Sequence, residues 1–158
     1  MKIFASVGST GFKFDRFFKI LDELCAEGVI NGNDLIAQTG KTDYAIKNYE
    51  HFDFAPYERV NELIGNADVI ICHSGTGTVI GSLKKGKKVI VFPRRKKYNE
   101  HESDHQLDLA GTFESDGYVL VARDKEELKN AILCIDSFSP KTFVSNNSNF
   151  VELIKGLL

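Results

Sequence analysis

Two uninterrupted apolar runs, Val69-Ile70-Ile71-Cys72 and Val89-Ile90-Val91-Phe92, constrain the fold of this chain more than anything else in it. A strand with one face in water alternates apolar and polar residues, whereas a strand apolar at every position suits the middle of a parallel sheet covered by helices on both faces. Residues 3–7, 34–38 and 118–121 are further runs with β-branched residues that read as strands. Helical patterns separate them. Phe14, Phe17, Phe18, Leu21, Leu24 and Cys25 recur on one helix face, and Val60, Leu63 and Ile64 follow Pro56, a residue suited to a first helical turn. The expected fold class is α/β, a parallel sheet with crossover helices on both faces.

A chain of 158 residues with 42% hydrophobic content is long enough to bury a core and fits one domain spanning residues 1–158. Its net charge of -2, with both signs mixed along the chain, supplies no field for nucleic acid, and no nucleic-acid partner is expected. The three cysteines, Cys25, Cys72 and Cys134, are too scattered for a disulfide framework or a zinc knuckle and fit a reducing cytoplasm. The opening residues are too short an apolar run for a signal peptide, and no stretch reaches the roughly 18 residues of a membrane span. Any membrane attachment is therefore expected through a partner or a surface contact. Residues 138–149, rich in Ser and Asn, carry the weakest structural pattern. Beyond them Phe150, Val151, Ile154, Leu157 and Leu158 fall on one helical face, suited to the chain's own sheet or to a partner.

In open parallel sheets ligands bind beyond the carboxyl ends of the strands. Two loops there carry glycine: Gly8-Ser9-Thr10-Gly11, which opens the Phe14 helix, and His73-Ser74-Gly75-Thr76-Gly77-Thr78, which opens a helix running to about Lys85. Small residues let a phosphate reach backbone N–H groups, and a helix N-terminus favours its charge. Tight strand-to-helix turns also need glycine for steric reasons alone, so both readings stand. Neither loop matches GxxxxGK[ST], and neither supplies GxGxxG with an acidic residue at the next strand's end, which sets aside simple ATPases and dinucleotide enzymes.

A third feature is the basic run Pro93-Arg94-Arg95-Lys96-Lys97, followed by Glu100-His101-Glu102-Ser103-Asp104-His105-Gln106. Such a run is ordinarily a solvated face, but this one leaves the carboxyl end of a central strand and shares the rim with both glycine loops. His101, Asp104 and His105 can share a helix face and invite a metal reading. Without HExxH, a His-Gln pair opening a helix equally hydrogen-bonds a sugar hydroxyl or a diphosphate, and no metal is expected.

In this order and spacing, the motifs resemble the C-terminal domain of glycosyltransferase family 28 over nearly the whole chain. The resemblance runs from Phe4-Ala5-Ser6-Val7-Gly8-Ser9-Thr10 and Phe14-Asp15-Arg16-Phe17, through Gln38-Thr39-Gly40, Phe54-Ala55-Pro56-Tyr57 and Ala67-Asp68-Val69-Ile70-Ile71. It is most specific in His73 to Thr78, in Gly86-Lys87-Lys88-Val89-Ile90-Val91-Phe92-Pro93-Arg94-Arg95, and in Glu100-His101 with Asp104-His105-Gln106. Together they look like the stand-alone soluble subunit of two-component sugar transferases, among them the dolichol-linked GlcNAc transferase of eukaryotes and bacterial capsule and exopolysaccharide enzymes.

That resemblance implies a Rossmann-like sheet equivalent to the C-terminal, donor-binding half of a GT-B enzyme. A UDP-sugar is then the donor, no cofactor is needed, and a membrane-associated glycosyltransferase subunit supplies the acceptor site and a lipid-linked acceptor at the inner face of the membrane. By carry-over, the backbone near Phe54 meets the uracil, and His73, Ser74, Gly75, Thr76, Gly77 and Thr78 hold the diphosphate. His105 and Gln106 contact phosphate or sugar, while Gly8, Ser9 and Thr10 line the cleft. Arg94 or Arg95 either assists the leaving group or is an exposed rim charge. Glu100 and Asp104 are titratable and nearby, but neither has a claim to be the acceptor base, which is expected on the partner, in an inverting transfer. Single-chain members carry an acidic residue for the ribose where this chain has Gly81. That departure keeps open a second reading, a non-catalytic enhancer or scaffold of the partner. The isolated subunit is also expected to be able to form a homodimer through the surface meant for that partner.

Overall fold

Both apolar runs become central strands. A computed structural model describes residues 1–8 and 11–144, and within them β1 (Ile3–Ser6), β2 (Leu35–Gln38), β3 (Glu50–Phe52), β4 (Val69–Cys72), β5 (Lys88–Val91) and β6 (Leu120–Val121) form one sheet. Every pairing is parallel, in the order β3-β2-β1-β4-β5-β6. The helices α1 (Asp15–Ala26), α2 (Tyr57–Asn66), α3 (Thr76–Lys84), α4 (His105–Ser115) and α5 (Lys125–Cys134) make the crossovers.

Alternate strand residues feed two separate cores. Ile3, Ala5, Leu35, Ala37, Ile71 and Ile90 pack with Phe14, Phe17, Phe18 and Leu21 of the α1 region and with Leu128 and Ile132 of α5. Phe4, Ile70, Cys72, Val89 and Val91 face the other way, onto Leu63 and Ile64 of α2, Val79 and Leu83 of α3, and Leu109 and Phe113 of α4. This two-sided covering is the arrangement the uninterrupted runs require.

Two elements go beyond the sequence reading. β3 is a three-residue edge strand, Glu50-His51-Phe52, whose polar residues are largely exposed. α5 is opened by Asp124, whose carboxylate accepts the Glu127 N–H at 2.8 Å, while Glu127 reaches back to the Arg123 N–H at 2.6 Å. The connection between β2 and β3 is anchored by the buried Asp22 of α1, which accepts from Tyr44 Oη (2.7 Å) and from the backbone N–H groups of Lys47 and Asn48. The apolar face expected from Phe150, Val151, Ile154, Leu157 and Leu158 lies outside the described residues.

Candidate functional site

β1 pairs with β2 on one side and β4 on the other, so the direction of winding reverses between β1 and β4. In parallel α/β sheets this switch point opens a crevice beyond the strand ends. Both glycine loops leave the sheet here. The His73 N–H donates to the Ser6 carbonyl at 3.3 Å, extending the β1–β4 ladder, and the His73 ring lies between the two loops. A Cβ at Gly8 would fall 2.8 Å from His73 Nε2, and one at Gly75 only 2.4 Å from the same nitrogen. Gly8 also has φ +69°, a conformation side chains disfavour. Both glycines are thus required by the imidazole packed between them.

The His73–Thr78 turn delivers the chain into α3. Gly75 is the N-cap and contributes no side-chain cap, and the Val79 N–H bonds back to the Gly75 carbonyl at 3.1 Å. The amides at the start of α3 therefore form an uncapped, electropositive helix end. Beside it the Ser74 hydroxyl is buried with no hydrogen-bond partner among the described residues. Buried hydroxyls are nearly always paired, and an orphan next to a bare helix N-terminus is an arrangement chemically suited to an anion.

His73 is 5% exposed and held neutral: burial, then the Arg94 charge, push its pKa from 6.5 down to about 3. Its Nδ1 lies 3.1 Å from Gln106 Nε2, and Gln106 Oε1 accepts the Arg94 N–H at 3.0 Å. This corrects one expectation. The Gln106 side chain, expected on phosphate or sugar, is buried with both ends of its amide engaged by protein.

Arg94 is a second correction. It is neither a rim charge nor free to meet a diphosphate, because its side chain is completely buried and donates to four carbonyls: Phe12 (3.1 Å), Lys13 (3.3 Å), Glu100 (3.2 Å) and Val7 (3.2 Å). Those bonds tie the first glycine loop to the loop after β5. Glu100 is equally committed. It is 3% exposed, chelates Arg16 and accepts the Arg95 N–H at 2.9 Å, so it is not available as a base. The Arg95 side chain is partly buried, 3.8 Å from the carboxylate of Asp104, which accepts the Lys96 N–H. His105 opens α4, half-buried on the rim.

Beyond β2 and β3 lies an open groove of about 630 Å³ lined by Lys13, Thr39, Gly40, His51, Asp53 and Phe54. A side chain at Gly40 would come within 3.7 Å of the Gly8 carbonyl and 3.9 Å of the Phe54 ring, so the groove adjoins the first glycine loop. Phe54, half-exposed, stands at its edge. Ser9 and Thr10 lie outside the described residues. Among the described residues, no three His, Cys, Asp or Glu side chains come together as metal ligands, and no helix is long and apolar enough to cross a membrane. The sequence reading gave Arg16 no role. Its signal was its place in the Phe14-Asp15-Arg16-Phe17 motif, and it proves to be the partner of Glu100.

The sequence pattern of the glycosyltransferase family 28 C-terminal domain matches residues 2–156. The chain is 29% identical over 133 residues to the UDP-N-acetylglucosamine transferase subunit ALG13 of Mus musculus, a match covering 75% of this chain and 10% of that protein. It thus spans about a tenth of the length of that relative. The solution structure of ALG13 superposes with a TM-score of 0.67 at 20% identity, covering 96% of this chain and 94% of that one. The crystal structure of the glycotransferase of kitacinnamycin superposes with a TM-score of 0.59 at 18% identity, covering 99% of this chain but 38% of that one. The fold is that of the C-terminal half of a GT-B glycosyltransferase.

Proposed function

Since this chain belongs to the glycosyltransferase family 28 C-terminal domain family, we propose that it is the donor-binding subunit of a two-component glycosyltransferase, moving a sugar from a UDP-sugar to a lipid-linked acceptor held by a membrane-associated partner. The observation that carries this reading is the convergence at the β1–β4 switch point of Gly8, the His73 ring and the uncapped start of α3, beside the orphan Ser74 hydroxyl. A diphosphate set there is met by helix-end amides, which supply without a metal the charge stabilisation that a departing UDP needs. The groove beside Phe54 adjoins that point and suits the uracil.

Of the two carboxylates beside the His105-Gln106 motif, Glu100 is consumed by Arg16 and Asp104 accepts the Lys96 N–H. The base is assigned to the partner, the transfer is read as inverting, and work at the cytoplasmic face of a membrane in polysaccharide biosynthesis follows from the resemblance of the motifs. UDP-N-acetylglucosamine, named in the mouse relative, is the first donor to try. Gly81 favours a second reading, an enhancer that leaves its cleft unused, because the position that would hold an acid for the ribose has no side chain.

The test is transfer of radiolabelled sugar from a panel of UDP-sugars to membrane lipid by this chain, by a candidate membrane protein partner, and by both. Activity confined to the combined sample supports the donor-subunit reading. Full activity from the membrane protein alone removes it.

A further inference from the structure

The hydrogen bonds around His73 form a one-way chain whose direction is fixed by chemistry at one end. A backbone N–H can only donate, so the group 3.0 Å from the Arg94 N–H has to be the amide oxygen of Gln106. The other end of the amide, its NH₂, then faces His73 Nδ1 at 3.1 Å. An NH₂ has no lone pair to offer in this direction, so Nδ1 is the acceptor and carries no proton. In a neutral imidazole the proton then resides on Nε2. The three groups are buried, Arg94 completely and His73 and Gln106 nearly so, which protects the chain from exchange with solvent. That Arg94 cannot slide is ensured by its four carbonyl partners.

We propose that Gln106 is a positioning residue that locks His73 in the Nε2–H tautomer, so that the site presents one neutral, fixed N–H donor to a phosphate oxygen between the two glycine loops. This deepens the proposed donor site and rests on it for the identity of the ligand, whereas the lock itself belongs to the ligand-free protein. The Nε2 edge faces the places where Gly8 and Gly75 omit their Cβ atoms, and among the described residues Nε2 has no hydrogen-bond partner. Burial and the neighbouring Arg94 charge keep the ring from taking a second proton, so the donor acts as a dipole and not as an acid. The arrangement also accounts for why Gln106 is turned inward: an amide can hand on the polarity of the Arg94 N–H to a ring nitrogen, whereas a carboxylate in the same place accepts at both ends.

The experiment is ¹H–¹⁵N long-range correlation NMR of the histidine rings in the full chain, first without ligand. The expected spectrum has His73 as a single Nε2–H tautomer, assigned by its loss in His73→Gln. In Gln106→Glu the carboxylate accepts from Nδ1, and His73 should move to the Nδ1–H tautomer or become doubly protonated. In Gln106→Met, which fills the same volume without polar atoms, the two tautomers should both be populated. With the partner present, turnover of Gln106→Glu should fall by roughly 10²-fold, the scale of losing one preorganised donor. Adding UDP to the wild-type protein should shift Nε2 and leave Nδ1 in place. An Nδ1–H tautomer in the wild-type protein, or an unchanged tautomer in both Gln106 variants, overturns the lock. A correct tautomer response with no Nε2 shift on adding UDP keeps the lock and removes the donor site instead, so the two failures are told apart.

Discussion

Arg16 of α1 grips Glu100, in the loop after β5, with two nearly parallel hydrogen bonds, Nε to Oε1 at 2.6 Å and Nη2 to Oε2 at 3.0 Å. The guanidinium carbon lies over the rings of Phe92 and Tyr98, 4.7 and 4.5 Å from their centroids. A forked carboxylate contact needs the arginine fork, and lysine does not reproduce it. Through Glu100 the pair also holds the Arg95 N–H and the Arg94 guanidinium. It therefore braces the side of the cleft that carries the basic run.

Removing one partner of such a buried pair strands the other. Glu100→Ala is expected to cost about 3 kcal/mol of stability, read as a lower urea midpoint at unchanged slope. Arg16→Lys should recover part of what Arg16→Ala loses, but less than half. If Glu100→Ala keeps full stability and loses only turnover, Glu100 is a catalytic base after all and its structural assignment fails.

Acid should destabilise the fold through two groups. His73 has its pKa lowered from 6.5 to about 3, so between those values the unfolded chain binds a proton that the folded chain refuses. Stability from this source is complete above pH 6.5 and is lost progressively as pH falls toward 3. Burial pushes Asp22 upward, but the hydrogen bonds from Tyr44 and from the Asn48 and Lys47 backbone outweigh it and hold its pKa below the ordinary value. Its contribution is present above the unfolded carboxylate pKa and fades as pH drops through the folded one. Urea titrations from neutral pH down to about pH 4 should show the midpoint falling, and falling less steeply in His73→Gln. Parallel pH profiles for the two proteins would show that His73 titrates normally.

Where the sequence was readable, it was so because burial dictates composition. Val69–Cys72 could be placed as a strand with its bounds because both faces are covered and every residue must be apolar. Glu50–Phe52 could not, since an edge strand of three residues, two of them exposed, needs no hydrophobic run. The site divides in the same way. The glycine loops were legible because a close approach demands glycine in the chain itself. Arg94 was not, because its burial depends on carbonyls more than 80 residues earlier, at Val7, Phe12 and Lys13. Nothing adjacent to an arginine in sequence shows that its charge will be spent on backbone. Gln106 was misplaced for the same reason, its partners being His73 and the Arg94 backbone.

Gly81 tests ribose recognition. It lies four residues after Gly77 and so on the same face of α3, and a Cβ there meets no atom within 4 Å. Gly81→Glu should fold, and should gain about 0.5–1 kcal/mol from leaving glycine out of a helix interior. If the ribose lies over α3, the new carboxylate accepts its hydroxyls and UDP should bind about tenfold tighter by calorimetry. Higher stability with no gain in affinity would put the ribose elsewhere.

Donor site and scaffold are best separated at Gly77, not at Gly75. Any side chain at Gly75 drives into the His73 ring, its Cβ 2.3 Å from Cε1, so a defect in Gly75→Ala reports on packing as much as on ligand. Gly77 is exposed at the start of α3 with nothing within 4 Å of a Cβ, and valine there is compatible with the helix. What Gly77→Val does change is access, because its methyl groups stand over the amides that a phosphate must approach closely. The expected outcome is an unfolding midpoint no lower than wild type, undiminished co-purification with the partner, and UDP affinity and turnover both down by at least about tenfold. Turnover that survives with the partner bound would mean that no diphosphate uses this turn, and the chain would then act on its partner as a scaffold.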